Sequence, residues 1–599
     1  MPKFSNINQR IILLSFLILS VSCRQNTKPD KLNLVIVATT DIHGAIFPVN
    51  YATGSPRNYS QANVATYLDS LRQLEQAEII VLDNGDILQG DPAVYYYNFE
   101  DTASEHIVSR VMNYLQYDAM TIGNHDIEAG HNVYDKLPQQ MNFPMLAANA
   151  INTSTNEPYF QPYTIIERQG VRIAVLGLIT PGIPKWLPEK IWEGIFFEDM
   201  LVSAQYWVPK IMEDEKPDLM VGLFHAGKDY TYSGQTAQTP FNENASLLVA
   251  EQVPGFDVVF IGHDHKNWNE SVINAEGKEV LLIGANAGAK YVSQANIEFQ
   301  RQDNGKYEII KSIALIEMEP LIPSASYLST FAADMDKIED FVNDTIGYLQ
   351  TRLDAKNALF GDNEFVELIH QLQMELTGAD LSFTAPLAFN TVLDNGFLKV
   401  SDMFLLYRYE NLLYNMKLTG TEIRNFLEFS YGIWFNTVSS PNDHLLNFKR
   451  NKQGKPHMSN NGGRYELASP YFNFDSAEGI VYLVDVSKPV GERIEIKSFT
   501  NGRQFHMDST YDVAINSYRG NGGGGHLTQG AGISKDELPL RITQSTDKDL
   551  RYYLMHWIRA KNEINISKNG NWKLIPEDLV KKVVEKDQAL LFSNYSTNN

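Results

Sequence analysis

Cysteine is almost absent from this sequence: Cys23 is the only one in 599 residues. No intrachain disulfide can form, and any metal site beyond that position must use nitrogen and oxygen ligands. Basic residues are also in deficit. Fifty Lys and Arg stand against 72 Asp and Glu, giving a formal net charge of −22 and a pI near 5.1. That balance argues against a polynucleotide partner, which needs a basic groove or stripe. It leaves open a small anionic substrate, because bound cations can invert a local field. Long apolar runs are lacking too, apart from residues 11–21, and there are no internal repeats or low-complexity stretches. The length is too great for one core, so two domains are expected.

The apolar run "IILLSFLILSV" follows Lys3 and Arg10 and ends just before Ser22-Cys23. It falls short of the ~20 residues a spanning helix needs. Residues 1–23 therefore read as a targeting segment. A small residue and then Cys after such a run resembles a bacterial lipobox, with Cys23 as the lipidated residue. Ser20 stands where the usual Leu would be, and a plain secretory signal is the alternative. On either reading the chain is exported, to the periplasm or cell surface; on the lipobox reading its only membrane contact is an N-terminal lipid anchor. No protein partner is inferred.

From residue 32 to 320, apolar runs of strand length alternate with amphipathic segments. "LNLVIVATT" ends at Asp41, "AEIIVLDNGD" at Asp86, and "YDAMTIGNHD" near Asn124 and His125. "DLMVGLFHAG" ends near His225, and "FDVVFIGHDH" at His263 and His265. Continuous apolar strands imply a sheet covered on both faces. Residues 104–115 read as an intervening helix, with Ile107, Val108, Val111 and Leu115 on one face. In layered α/β sheets, ligands bind beyond the carboxyl ends of the strands. Five such ends here carry imidazole, carboxylate or amide groups, a donor set that suits a pair of borderline divalent ions. The Asp-x-His and His-x-His spacings put two donors on one side of an extended chain.

In order, "TTDIHG", "NGDILQG", "GNHD", "FHAG" and "GHDH" resemble the calcineurin-like metallophosphoesterase signature. The resemblance implies a dinuclear centre of Mn, Zn, Fe or Co. One ion would be held by Asp41, His43, Asp86 and His265, and the other by Asp86, Asn124, His225 and His263, with Asp86 bridging. His125 would be the catalytic imidazole rather than a ligand. The family often writes this loop GNHEFD or GNHEFN, where an acid or amide orients the histidine. Here Glu128 occupies that place. His131 reads as a loop histidine, and Gln89 as support for the metal turn.

Residues 324–355, after "PLIP", read as a linker helix with Leu328, Phe331, Met335, Ile338 and Val342 on one face. Residues 356–565 contain "SFTAPLAFN", "YRYEN", "YFNFDSAEGI" and "NSYRGNGGGG", and resemble the C-terminal domain of the 5′-nucleotidase family. That likeness implies that Tyr409 and Tyr518 sandwich a nucleobase, that Asn411 meets its edge, and that Gly522 and Gly523 let backbone approach the ligand. Residues 566–599 read as a peripheral tail. The expected architecture is a four-layer α/β/β/α metallophosphoesterase domain over residues 32–320, the linker, and an α+β nucleotide-binding domain. The 5′-nucleotidases carry an Arg soon after the stretch that here reads "SFTAPLAFN", and an Asp where this chain has Gly524. Both departures favour the 2′,3′-cyclic-nucleotide 2′-phosphodiesterase/3′-nucleotidase branch. A 5′-nucleotidase or nucleotide pyrophosphatase is the alternative, and a non-catalytic nucleotide-binding lipoprotein a more distant one.

Overall fold

The first sheet grows outward from the strand Lys31–Thr39, which pairs parallel with Glu78–Asp83 and antiparallel with Tyr291–Arg301. Its full order is 307–317, 291–301, 31–39, 78–83, 119–121 and 145–146. The second sheet runs 268–273, 279–284, 258–261, 219–225, 171–179 and 163–168, parallel inside with an antiparallel strand at each edge. The structure is a computed structural model that describes residues 28–74, 76–459 and 464–592. The lipidation expected at Cys23 falls outside those residues. Among them, no helix is long and apolar enough to cross a membrane.

The two sheets pack face to face through Leu34, Ile36, Leu82, Ile173, Val175, Val221, Leu223 and Phe260, all buried. Helices Gln61–Gln73 and Ile107–Leu115 cover the outer face of the first sheet, and Met200–Asp214 and Ser246–Gln252 that of the second. This is the expected four-layer order. Helix starts follow local chemistry: the side chains of Ser60 and Asp199 accept from first-turn amides. The helix expected from residue 104 starts at Ile107, because the His106 ring accepts from the Val108 amide and acts as the cap.

The expected linker helix is two helices and a strand. Ala325–Thr330 and Ala332–Asn343 meet at Phe331, which is buried and leaves helical geometry. Residues Thr345–Leu349 then form a strand between Gly396–Lys399 and Glu563–Ile564. "TIGYL" is rich in β-forming residues, and Gly347 lets the strand approach Ile558 closely, since a Cβ there would lie 2.7 Å from it. Phe331, Ile338 and Val342 pack on the core of the first domain, as the apolar stripe suggested.

The second domain holds a five-stranded sheet ordered 476–478, 381–384, 510–516, 413–419 and 542–545, flanked by helices Glu364–Thr377 and Gly420–Trp434. The tail is not peripheral. Trp572–Ile575 adds a parallel strand to Ile480–Asp485, and Val580, Val583 and Leu591 of helix Glu577–Phe592 enter the domain core. The Asp587 carboxylate accepts from the Leu446 amide at 2.9 Å and pairs with His444. The dense Lys and Glu of this helix disguised its apolar stripe.

Candidate active site

The five strand ends converge where the two sheets face each other. Asp41, His43 and His265 form one group, and Asp86, His225 and His263 a second, with ligand-capable atoms in each within 4.8 Å of one another. The Nε2 atoms of His43 and His265 are 2.9 Å apart, and His265 Nε2 lies 3.4 Å from Asp41. The Asn124 amide oxygen joins the second group, 3.2 Å from His225 Nε2 and 2.8 Å from His263 Nδ1. All seven residues expected as metal ligands are therefore together, with Asp86 clustered on the His225 side.

Backbone conformation is unusual here. Asp41, His43, Asp86, His263 and His265 all have positive φ. Such backbone is costly for residues with a side chain and persists only where the surroundings impose it. The imposition is visible. Asp126 accepts from the amides of Asp86, Ile87, Leu88 and Gly123 at 2.8–3.1 Å, tying the Asp86 turn to the Asn124 loop. Asn84 donates to the Phe224 carbonyl, and its own carbonyl faces His225 Nδ1 at 2.6 Å. This tautomer leaves His225 Nε2 as the free donor atom. Gly123 is required by contact: a Cβ there would lie 2.2 Å from the Asp86 carboxylate. Gln89 contributes its carbonyl, 3.3 Å from His43 Nδ1.

These groups fit a pair of divalent ions. The Asp86 Oδ2 atom is buried with no well-aligned hydrogen bond and only the His225 Nε2 atom beside it, at 3.1 Å, so the carboxylate draws positive charge into this group, as a cation there would supply. Burial, reinforced by neighbouring His125, holds His43 down to about 4 and so neutral. Burial opposes charge on His225, but the Asp86 carboxylate outweighs it and raises the ring to about 9. A metal on Nε2 would take that proton's place.

His125 stands beside the groups rather than in either. Its amide donates to Asp86 Oδ1 at 2.8 Å, and its Nδ1 lies 2.5 Å from Glu128. Burial would depress this ring, yet Asp86 and then Glu128 raise it to about 10, which favours its cationic form. Glu128 thus sits where an orienting partner is needed. His131 pairs with Asp135 away from the centre.

A cavity of about 340 Å³ opens from Asn124, His125 and His263 toward the second domain, and Tyr409, Asn411 and Tyr518 line its far end. Gly522 and Gly523 do not line it. Gly523 lies against Tyr518, where a Cβ would be 2.6 Å from the ring, and Gly522 forms a left-handed turn facing Leu538 and Thr528. Gly523 thus seats Tyr518, and Gly522 shapes the turn behind it. Gly524 is likewise turned away: a Cβ there would lie 2.1 Å from Arg519, whose Nη1 and Nη2 are committed to Asp475, Asn473 and the carbonyls of Phe472 and Gly523. The Gly524 departure that favoured the cyclic-nucleotide branch therefore lies against Arg519 and Asn473 and not on the cavity wall.

Several lining residues were not foreseen: Phe472, Trp186, Leu187, Glu243 and Glu410. Phe472 meets Tyr409 edge-on at 5.8 Å, and Trp186 lies 5.5 Å from the His263 ring. Phe472 lies within the stretch "YFNFDSAEGI" that carried the resemblance. Nothing local marks the Trp186 loop.

Comparison with known proteins supports the two-part reading. A family profile for calcineurin-like phosphoesterases matches residues 34–267, and one for the 5′-nucleotidase C-terminal domain matches residues 343–530. A trifunctional nucleotide phosphoesterase of Bacillus subtilis is 25% identical over 95% of this chain, which spans 41% of that relative's length. A 2′,3′-cyclic-nucleotide 2′-phosphodiesterase/3′-nucleotidase of Yersinia enterocolitica is 24% identical over 94% of this chain and 91% of its own. A solved Staphylococcus aureus structure, provisionally described as a 5′-nucleotidase, shares the fold with a TM-score of 0.71 at 19% identity, covering 90% of this chain and 99% of that one.

Proposed function

Because the chain belongs to the 5′-nucleotidase family with a calcineurin-like phosphoesterase domain, we propose that this nucleotide phosphoesterase opens 2′,3′-cyclic nucleotides to 3′-nucleotides and then removes the 3′-phosphate. One observation carries the reading. A single cavity has Asn124, His125 and His263 at one end and Tyr409, Asn411 and Tyr518 at the other. It offers a phosphate end and a base end in one space. Relatives named for this activity align over nearly the whole chain at 24% identity.

Two divalent ions on the Asp41/His43/His265 and Asp86/His225/His263 groups, with Asn124, would activate water and neutralise phosphoryl oxygens. The chain does the rest. Tyr409 and Tyr518 hold the base by stacking, and Asn411 meets its edge. His125, kept cationic and oriented by Glu128, directs a proton toward the phosphoryl or leaving oxygen as charge develops there. We further propose that the protein is exported and lipid-anchored at Cys23. A mature N-terminus found elsewhere by mass spectrometry would remove that claim.

The test of function is product analysis with 2′,3′-cyclic AMP, 3′-AMP and 5′-AMP side by side. The expected order has the first two well above the third in kcat/KM. A higher value for 5′-AMP than for both others would make the protein a 5′-nucleotidase.

A further inference from the structure

The expected anchor at Cys23 is tied closely to one end of the first domain. Only residues 24–27 separate it from Lys28, and five residue steps reach at most ~18 Å however they run. Lys28 is held where strands begin. Its Nζ pairs with Asp218, just before the strand Leu219–His225, and its carbonyl accepts from Arg301 at the end of Tyr291–Arg301. The Tyr307 hydroxyl donates to the Pro29 carbonyl at 2.7 Å. From there the nine residues of Lys31–Thr39 climb about 30 Å, at the rise of a strand, to Asp41 in the metal groups. The anchor and the metal groups are therefore at opposite ends of the same strand.

The anchor end also carries open apolar surface. A groove of about 340 Å³ lies between the end of helix Gln61–Gln73 and the outer face of the first sheet, lined by Val35, Leu71, Leu74, Ile79 and Ile310. Leu74 is 59% exposed and Ile310 51%. Lys311, also on this groove, donates to the Glu279 carbonyl at 2.7 Å, and Glu279 pairs with Ile273, which is 61% exposed. Several basic residues at this end are matched by acids: Lys28 by Asp218, Lys31 by Glu298, Arg168 by Asp118 and Arg172 by Glu215. Charges that close on one another in this way do not oppose an apolar partner, and exposed aliphatic side chains grouped on one face mark an interaction surface.

We propose that this end of the first domain rests on a lipid surface, with Leu74, Ile310 and Ile273 seated at the headgroup boundary and the metal groups directed away from it. The partner is the bilayer that holds the Cys23 lipid. The short tether selects it, because a face within ~18 Å of an inserted acyl chain meets that bilayer before any other partner. Substrate then reaches the nucleotide cavity from the aqueous side. The inference rests on the anchor at Cys23 and is independent of which nucleotide is hydrolysed. A second copy of the chain seated over the groove would shut lipid out, and the experiment separates the two.

The full chain, matured in a bacterial host and checked by intact mass, is reconstituted into equimolar phosphatidylethanolamine and phosphatidylglycerol vesicles carrying a shallow doxyl-labelled lipid. With Cys23 acylated, Leu74→Cys or Ser55→Cys supplies the one reactive thiol for a fluorescent dye. Ser55 marks the metal end, beside Thr53 of the cleft that holds His43 and His265. Leu74, Ser55 and Ile310 are exposed, so changes there do not threaten the fold. The dye on Leu74→Cys should lose at least about half its emission, because a seated face lies ~5–10 Å into the boundary, and the dye on Ser55→Cys should lose none. Ile310→Glu added to Leu74→Cys should restore at least about half of the lost emission, since a carboxylate resists that depth. No quenching on Leu74→Cys, equal quenching at both positions, or quenching indifferent to Ile310→Glu would overturn the docked face. The mass judges the anchor separately: acylated Cys23 with an unquenched Leu74→Cys dye keeps the anchor and sinks the docking, and unmodified Cys23 sinks both.

Discussion

The two ends of the nucleotide cavity are built on different principles. At the phosphate end, five residues are held in left-handed backbone, and the carboxylate of Asp126 grips four amides around one of them, Asp86. At the base end, Tyr409, Asn411, Phe472 and Tyr518 all have ordinary negative φ, and the two tyrosines are only half-buried. Metal geometry tolerates little error, so the rim is fixed by backbone the protein must force. Stacking on a ring face tolerates sliding, so the wall needs packing alone. The difference predicts that damage at the rim is severe and damage at the wall graded.

The sharpest break should come from Asn124→Ala or His263→Ala. Each removes a donor from one group while leaving the strands intact. Turnover of bis(p-nitrophenyl) phosphate should fall by roughly 10³-fold or more, with loss of one equivalent of metal by elemental analysis and an unchanged circular dichroism spectrum. Retained activity at limiting metal would show that these side chains are not ligands.

Asp126→Ala tests whether the rim is truly imposed. It leaves four amides without their acceptor, each costly when buried. Metal affinity should drop about 10- to 100-fold, the usual cost of losing an outer support, even though Asp126 belongs to neither metal group. An unchanged affinity would mean that the left-handed turns hold themselves.

At the wall, Tyr409→Ala and Tyr518→Ala should each raise KM for nucleotides about tenfold, with kcat little altered. Hydrolysis of bis(p-nitrophenyl) phosphate, which has no base, should be spared. An equal loss on both substrates would assign these rings to the metal end instead.

The same contrast explains what could be read from sequence. The rim was legible because metal ligands are few in kind and sit at the ends of apolar strands, so Asp41, His43, Asp86, Asn124, His225, His263 and His265 announced themselves by type and place. The layered order of the first domain followed from the same runs. What holds the rim did not show. Asp126 reads as one more polar loop residue until the backbone brings Asp86 and Gly123 to it. The wall was legible only through family likeness, since Tyr occurs 30 times in the chain and stacking demands no spacing. Trp186 and Glu243 reach the cavity from loops distant in sequence, and no local pattern signals that. The tail was misread because Val580, Val583 and Leu591 are thinly spread among charges that face water.

A smaller effect separates the two domains rather than the two ends of the site. In the second domain, Glu367 is buried beside Glu478, accepts from Gln371 at 3.0 Å, and lies on helix Glu364–Thr377 far from the metal groups. Burial first, and then the neighbouring Glu478 carboxylate, raise Glu367 from the ordinary 4.5 to about 8. The folded protein therefore holds a proton that the unfolded chain releases. Stability from this group is complete below about 4.5 and is lost as pH rises toward about 8. Glu367→Gln supplies a permanent neutral donor facing Glu478 and removes the linkage. The variant should match the natural protein near pH 4.5 and gain on it steadily above. By pH 8 the gain should reach ~1–2 kcal/mol, or a few degrees in Tm. Parallel curves of Tm against pH for the two proteins would show that no proton is shared at this pair.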